Sequence, residues 1–478
     1  MRARRWWAVA IFGCLPAACG PPWQPVPDLA SGAGDMAADD SVPLDSATPR
    51  DLRELRDLER GDEMPLPQDA ALDDEAVPGD AAVPLDEAMD GDLATIGDIS
   101  WPVWGIESRI EDLAGLGSVD LTENTCPGFL PATRWPIGAW YVRSMSVGDV
   151  NGDGNPDIVA ADGNGLSISI LLGDGKGGFQ DSIEIPGGDS QVALADFNGD
   201  GKLDIAAPYR SSWATAFLGR GDGSFLAPFL MDTPPGPSAI AAGDLDGDGK
   251  PDLVVGSWDD YACPALTNLV SVFLGKGDGT FGPRTDLPSV PTPSHIALAD
   301  FDGNHTLDVA VASFDKDAWV FLGDGKGHFG LPSHIQVDCC SPLGDLEVAD
   351  MNGDMHPDLI VSDGLGGAVA VVLGKGDGAF FPPREFPAGK DIMGLAVADL
   401  NGDGHVDVVT TADDIVHQGP YSVAILHGDG QGNLGPPTPC AVDEYPEGVR
   451  AVDLNHDGKL DLVVGHDVSD HIEVFLAR

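Results

Sequence analysis

The stretch Asp399-Leu-Asn-Gly-Asp-Gly-His-Val-Asp407 decides how the chain is read, because six close variants of it recur. They begin at Asp149, Asp196, Asp244, Asp300, Asp350 and Asp453, so successive copies start 47, 48, 56, 50, 49 and 54 residues apart. Self-similarity at a period near fifty is the signature of a repeat architecture.

Positions one, three, five and nine of every copy carry side-chain oxygen. They are Asp149, Asn151, Asp153 and Asp157, then Asp196, Asn198, Asp200 and Asp204, then Asp244, Asp246, Asp248 and Asp252. The remaining copies supply Asp300, Asp302, Asn304 and Asp308; Asp350, Asn352, Asp354 and Asp358; Asp399, Asn401, Asp403 and Asp407; and Asp453, Asn455, Asp457 and Asp461. A hard cation such as Ca²⁺ takes roughly six to eight oxygen ligands from carboxylates, amides and backbone carbonyls on a loop that curls around it. Position seven varies freely (Asn155, Lys202, Lys250, Thr306, His356, His405, Lys459), as expected where only a main-chain carbonyl is supplied.

Positions four and six are mostly glycine, which suits a tight curl with positive φ. Copies one, two, three and six hold both glycines, whereas His305, Met355 and His456 each replace one in copies four, five and seven. Those three loops are the ones expected to be weak, empty or strained. An EF-hand is excluded, because its twelfth position needs a bidentate Glu and Ala160, Ala207 and Val255 stand there. The plainer explanation of Asp-Gly and Asn-Gly clusters is turn formation. Turn chemistry alone gives no reason for Asp at position nine in every copy.

The flanks alternate like strands. In the second unit an apolar strand, Gln191-Val-Ala-Leu-Ala195, enters the loop and another, Leu203 to Ala207, leaves it. A third, Thr215 to Leu218, meets the hairpin Gly219-Arg-Gly-Asp-Gly-Ser-Phe225 before a poorer fourth. The hairpin recurs as Gly173 to Phe179, Gly275 to Phe281, Gly323 to Phe329, Gly374 to Phe380 and Gly428 to Leu434. A phosphate-cradling role fails because no helix comes after it to present its N-terminal amides. Four short strands per repeat with no helical period define a propeller blade. The seventh unit lacks a fourth strand, and Gly128 to Pro136 resembles the segment immediately after each hairpin, such as Phe225-Leu-Ala-Pro228. The expectation is an all-β, seven-bladed propeller over 126–478 whose last blade is completed by its N-terminal segment, removing exposed sheet edges.

Net charge is −53, and the seven stretches hold 22 of the 78 acids. That balance opposes nucleic-acid binding, which wants basic patches. Residues 1–19 read as an export signal, with Arg2, Arg4 and Arg5 ahead of the apolar run Trp6 to Ala18. Its end, Leu15-Pro-Ala-Ala-Cys19-Gly20, resembles a lipoprotein box with Cys19 as the lipidated residue; a plain secretory signal is the alternative. Between residues 21 and 100 there are 21 acids against four arginines and hardly an aromatic beyond Trp23. Such a stretch, 20–100, buries too little to offset chain entropy and is expected to be a disordered tether, succeeded by a transition at 101–125. Of the remaining cysteines, Cys126 and Cys440 meet if the ring closes, while Cys263, Cys339 and Cys340 leave the pairing open.

With loops and strands in hand, the repeats resemble the FG-GAP and VCBS repeat family, bacterial relatives of the integrin α-chain propeller, over about residues 126–478. The resemblance implies a seven-bladed β-propeller with Ca²⁺ in the loop between the first and second strands of a blade. It also implies a protein or glycan ligand, since family members bind either.

In an up-and-down blade the loops joining strands one to two and three to four share a face, which leaves the other for ligands. Loops joining strands two to three vary most there, as binding loops on a rigid scaffold do. They hold Tyr209, Arg210 and Trp213; Trp258, Asp259, Asp260 and Tyr261; Phe314, Asp315 and Asp317 with Trp319; Asp413, Asp414 and His417; and His466 with Asp467. Aromatics beside carboxylates suit sugar rings or a protein anchor, although Trp213 and Trp319 equally suit packing between blades. The expected function is a surface-tethered, calcium-stabilised binding or adhesion module. The alternative is an extracellular carbohydrate-active enzyme using a carboxylate pair, although no nucleophile elbow or zinc signature accompanies it.

Overall fold

The computed structural model describes residues 126–478, apart from 139–140, 164–166, 189, 210–211, 259–267, 338–342, 365, 413–420, 444 and 468. The signal with Cys19, the linker and the transition lie outside the described residues. Seven four-stranded antiparallel sheets make up the fold, with no helix among the described residues. In the first blade Val142–Gly148, Asp157–Asp162, Ser167–Leu171 and Ile183–Pro186 are neighbours in chain order, and five further blades repeat that order.

The seventh blade departs from it. Pro446–Val452, Asp461–His466 and His471–Phe475 are completed by Thr133–Pro136, with Thr133 opposite Val474 and Pro136 opposite His471. The expected closure is therefore present. A disulfide joins Cys126, just ahead of that strand, to Cys440 in the outer strand Thr438–Ala441 of the sixth blade, with Cα atoms 4.3 Å apart. The bridge adds a covalent link to the hydrophobic packing and the Arg134–Asp443 ion pair that already hold the closing segment in the ring.

Second strands such as Asp252–Ser257 bury every residue, because neighbouring blades cover both faces, and so read as near-continuous apolar runs. The core lies between blades: Val254, Val270 and Val272 of the third pack against Val309, Val311 and Phe321 of the fourth. Each such side chain contributes about 1.5–3 kcal/mol on burial. Nearer the axis, side chains stitch inner strands together, Ser146 donating to the Val192 carbonyl and Ser190 to that of Ser238, both at 2.7 Å.

Candidate functional site

The acidic stretches form one recurring loop. Asp149 Oδ1 accepts hydrogen bonds from the Gly152 and Asp153 amides at 2.7 and 3.1 Å, and Oδ2 accepts one from Gly154 at 2.8 Å. Asn151 Oδ1 accepts from the Asp153 amide and Asp153 Oδ1 from that of Asn155, both at 2.8 Å. The side chains of positions one, three and five thus fold inward over their own backbone, and the curl forces positive φ at positions four and six. Gly152 and Gly154 supply it at 74° and 87°. His305, Met355 and His456 adopt it at 66°, 68° and 59°, so the three departing loops keep the curl with backbone strain.

Position nine has a second role, one that spacing along the chain does not reveal. Asp157 is fully buried, and its Oδ2 accepts from the Val150 amide at 2.9 Å while Oδ1 accepts from Gly173, the first residue of the outer hairpin, at 2.7 Å. Asp204, Asp252, Asp308, Asp358 and Asp407 make the same pair of bonds, and Asp461 makes the equivalent pair with Leu454 and Ala477, where the closing N-terminal segment stands in place of a hairpin. An Asp there is demanded by the architecture whether or not an ion binds. Burial pushes the carboxyls of Asp157, Asp252, Asp308 and Asp358 up to about 6, against the pull of those amides.

Loops also join blades. The hairpin amide of Gly279 donates to the Phe197 carbonyl in the preceding blade's loop at 3.1 Å, and Phe281 meets the Phe197 ring edge-on at 5.4 Å. Gly378 with Phe301 and Gly432 with Met351 repeat the backbone bond. Stiffening a loop therefore stiffens a joint between blades.

Carboxylate oxygens of Asp244, Asp246 and Asp252 lie within 4.8 Å of one another, as do those of Asp300, Asp302 and Asp308. All-oxygen clusters of this kind fit a hard divalent cation. The loop from Asp300 was expected to be compromised by His305, yet it is one of these two. In the loop from Asp244 the fifth-position carboxylate of Asp248 is already paired with Lys250 at 2.6 Å.

On the opposite face Trp258 and Phe314, from adjacent blades, pack edge to face at 5.2 Å. Asp315 is exposed beside them, and Asp317 is held by His334 at 2.7 Å, on whose ring Trp319 stacks. Tyr209 pairs across its hairpin with Trp213, which is 40% exposed rather than packed between blades. Arg210, Asp259, Asp260, Tyr261, Asp413, Asp414 and His417 lie outside the described residues. His466 does not serve this face: it is fully buried beside an equally buried Glu473 at 3.4 Å.

One constellation was not expected from the sequence. A cavity of about 360 Å³ lies among the inner strands, lined by Gln191, His295, Asp345, Glu347 and Arg450 among others. His295 stands 3.5 Å from Asp345, and Arg450 stands 3.8 Å from Glu347. The available signal was a charge where other inner strands place Ala, as in Ile240-Ala-Ala242 and Ile296-Ala-Leu298.

Seven sheets in a ring, six of them with an acidic loop stapled to an outer hairpin, define a repeat propeller. The FG-GAP-like repeat profile matches residues 149–207, 196–255, 257–311, 300–361 and 350–410, more than half of the chain, and the chain belongs to that family. No curated protein matches it. Among solved structures, the crystal structure of BBS1N in complex with ARL6DN soaked with lead is similar with a TM-score of 0.50 and 13% identity. It covers 73% of this chain and 97% of its own. The corresponding crystal soaked with mercury gives 0.50 and 14% over the same shares. At such identity the likeness is one of fold alone.

Proposed function

We propose that the protein is an exported propeller, tethered through Cys19, whose loops hold Ca²⁺ and whose opposite face binds a glycan or a surface protein. Ca²⁺ is the cation chosen because the clusters are all-oxygen and the compartment implied by the leader is rich in it. The observation that carries the ligand face is the Trp258–Phe314 pair: two apolar rings from different blades, with the exposed Asp315 carboxylate alongside. Rings of this kind supply a stacking platform and the carboxylate accepts hydroxyl or ammonium hydrogen bonds.

The test is a glycan and surface-protein binding screen of the mature chain with Ca²⁺, repeated with Trp258→Ala and Phe314→Ala. Binding reduced about tenfold or more in variants that melt like the parent supports the assignment. A blank screen, or binding indifferent to both substitutions, sinks it. Loss of detergent-phase partitioning in Cys19→Ser tests the tether separately.

A further inference from the structure

The axial cavity carries charges that neither the ion loops nor the aromatic face uses. Glu347 comes from the fifth blade and Arg450 from the seventh, and they oppose each other at 3.8 Å, longer than a hydrogen bond. Among the described residues the Glu347 carboxylate accepts no hydrogen bond at all. Arg450 commits Nη1 to the Val449 and Leu395 carbonyls at 2.7 and 3.3 Å, which leaves its Nε and Nη2 without a protein acceptor among those residues. These free donors and acceptor face the open cavity, where an entering molecule meets groups not committed to the protein.

The surroundings continue the theme of opposed signs. Asp345, two residues before Glu347, is anchored by the Leu346 and Leu395 amides at 2.8 and 3.0 Å and faces His295. Arg143, on the inner strand beside that of Arg450, forms no ion pair among the described residues and lies close enough to influence His295 electrostatically. Register shifts interrupt the inner strands next to Ser144, His295 and Asp345, as they do at the same place in the third and seventh blades. Bulges of this sort re-aim side chains at rims and binding sites. These residues lie at the starting ends of the inner strands, toward the face that also bears the Trp258–Phe314 pair.

A simple cation in this cavity would be repelled by the Arg450 guanidinium, and a simple anion by the Asp345 and Glu347 carboxylates. A molecule carrying both charges meets a partner for each, its ammonium at Glu347 and its carboxylate at Arg450. The volume, about 360 Å³, sits at the small end of ligand pockets. We propose that the propeller channel is a binding site for a small zwitterion of the free amino-acid class, independent of the ligand on the outer face.

Calorimetric titration of the full mature chain in Ca²⁺ with the proteinogenic amino acids tests this. Each amino acid that binds is then compared with the amine lacking its carboxylate and the acid lacking its ammonium. Saturable binding tighter than about 1 mM is expected, with both analogues and the Glu347→Gln variant weaker by about tenfold or more. Where Glu347→Gln does not fold, Ala297→Met fills the cavity from the fourth blade without altering charge and is expected to abolish binding. No saturable binding by any amino acid overturns the proposal, as does binding that either folded variant leaves intact or that the bare amine reproduces.

Discussion

The Gly173 amide donates a 2.7 Å hydrogen bond to the buried Asp157 carboxylate, so the acidic loop of a blade is fastened to that blade's outer hairpin by one side chain. The same carboxylate holds the loop's own Val150 amide, which makes the ninth position a staple as well as a candidate ligand. The two roles separate experimentally.

Removing the staple is the sharper perturbation. Asp252→Ala leaves the buried amide of Leu245 and the half-buried amide of Gly275 without an acceptor, at up to about 1–3 kcal/mol each. We expect roughly 2–5 kcal/mol lost in urea unfolding, in EDTA and in Ca²⁺ alike. Asp244→Asn keeps one of the two accepting oxygens over the loop, so it should cost less than Asp252→Ala in EDTA and matter more when Ca²⁺ is present. Equal effects of the two substitutions in EDTA would contradict the staple.

Calcium itself should act on the whole ring. An ion that binds only the folded chain contributes about 2.7 kcal/mol per site at a hundredfold excess over its dissociation constant. For a domain of this size that raises the melting temperature by roughly 3–4 °C per site. EDTA should reverse the gain and added Ca²⁺ restore it; a melt that ignores both falsifies ion binding by the loops.

The effect of acid has opposite signs in the two states. Burial raises the carboxyls of Asp157, Asp252, Asp308 and Asp358 to about 6 from 3.8, so the folded metal-free chain favours their protonated forms. That stabilisation is complete below the unfolded value and is lost as pH rises through about 6. Metal-free protein should therefore melt higher at pH 5 than at pH 7.5. Protons compete with Ca²⁺ for the same oxygens, so the Ca²⁺-induced rise in melting temperature should shrink over that interval. Melting curves at both pH values, with and without EDTA, read both trends.

Backbone strain at the departing loops predicts a gain of stability. Met355 holds φ at 68° with its side chain 88% exposed, so it contributes strain and little packing. Met355→Gly should stabilise by ~1 kcal/mol in urea unfolding. A loss instead would mean the exposed side chain has a partner in solution.

The loops, the blade count and the closing strand were legible because Asp, Asn and Gly at fixed offsets impose local geometry that needs no tertiary context. The meeting of Cys126 with Cys440 was legible from closure. The second role of Asp157 was not, since its hairpin partner Gly173 is itself a turn glycine whose amide carries no sequence signal. Nor was the pairing of Glu347 with Arg450, which depends on two strands far apart in sequence reaching one level of a closed ring. Trp258 and Phe314 were each visible as loop aromatics, but their contact depends on how neighbouring blades are spaced.

The Cys126–Cys440 bridge also determines how the ring carries load. Tension arriving along the residues that precede Cys126 passes through sulfur into the sixth blade before it reaches Thr133–Pro136. The closing strand is thus spared from being peeled off its neighbour one hydrogen bond at a time. Force entering from that side is handed instead to the edge strand Thr438–Ala441 of the sixth blade, so the seam between the first and last strands of the ring is shielded.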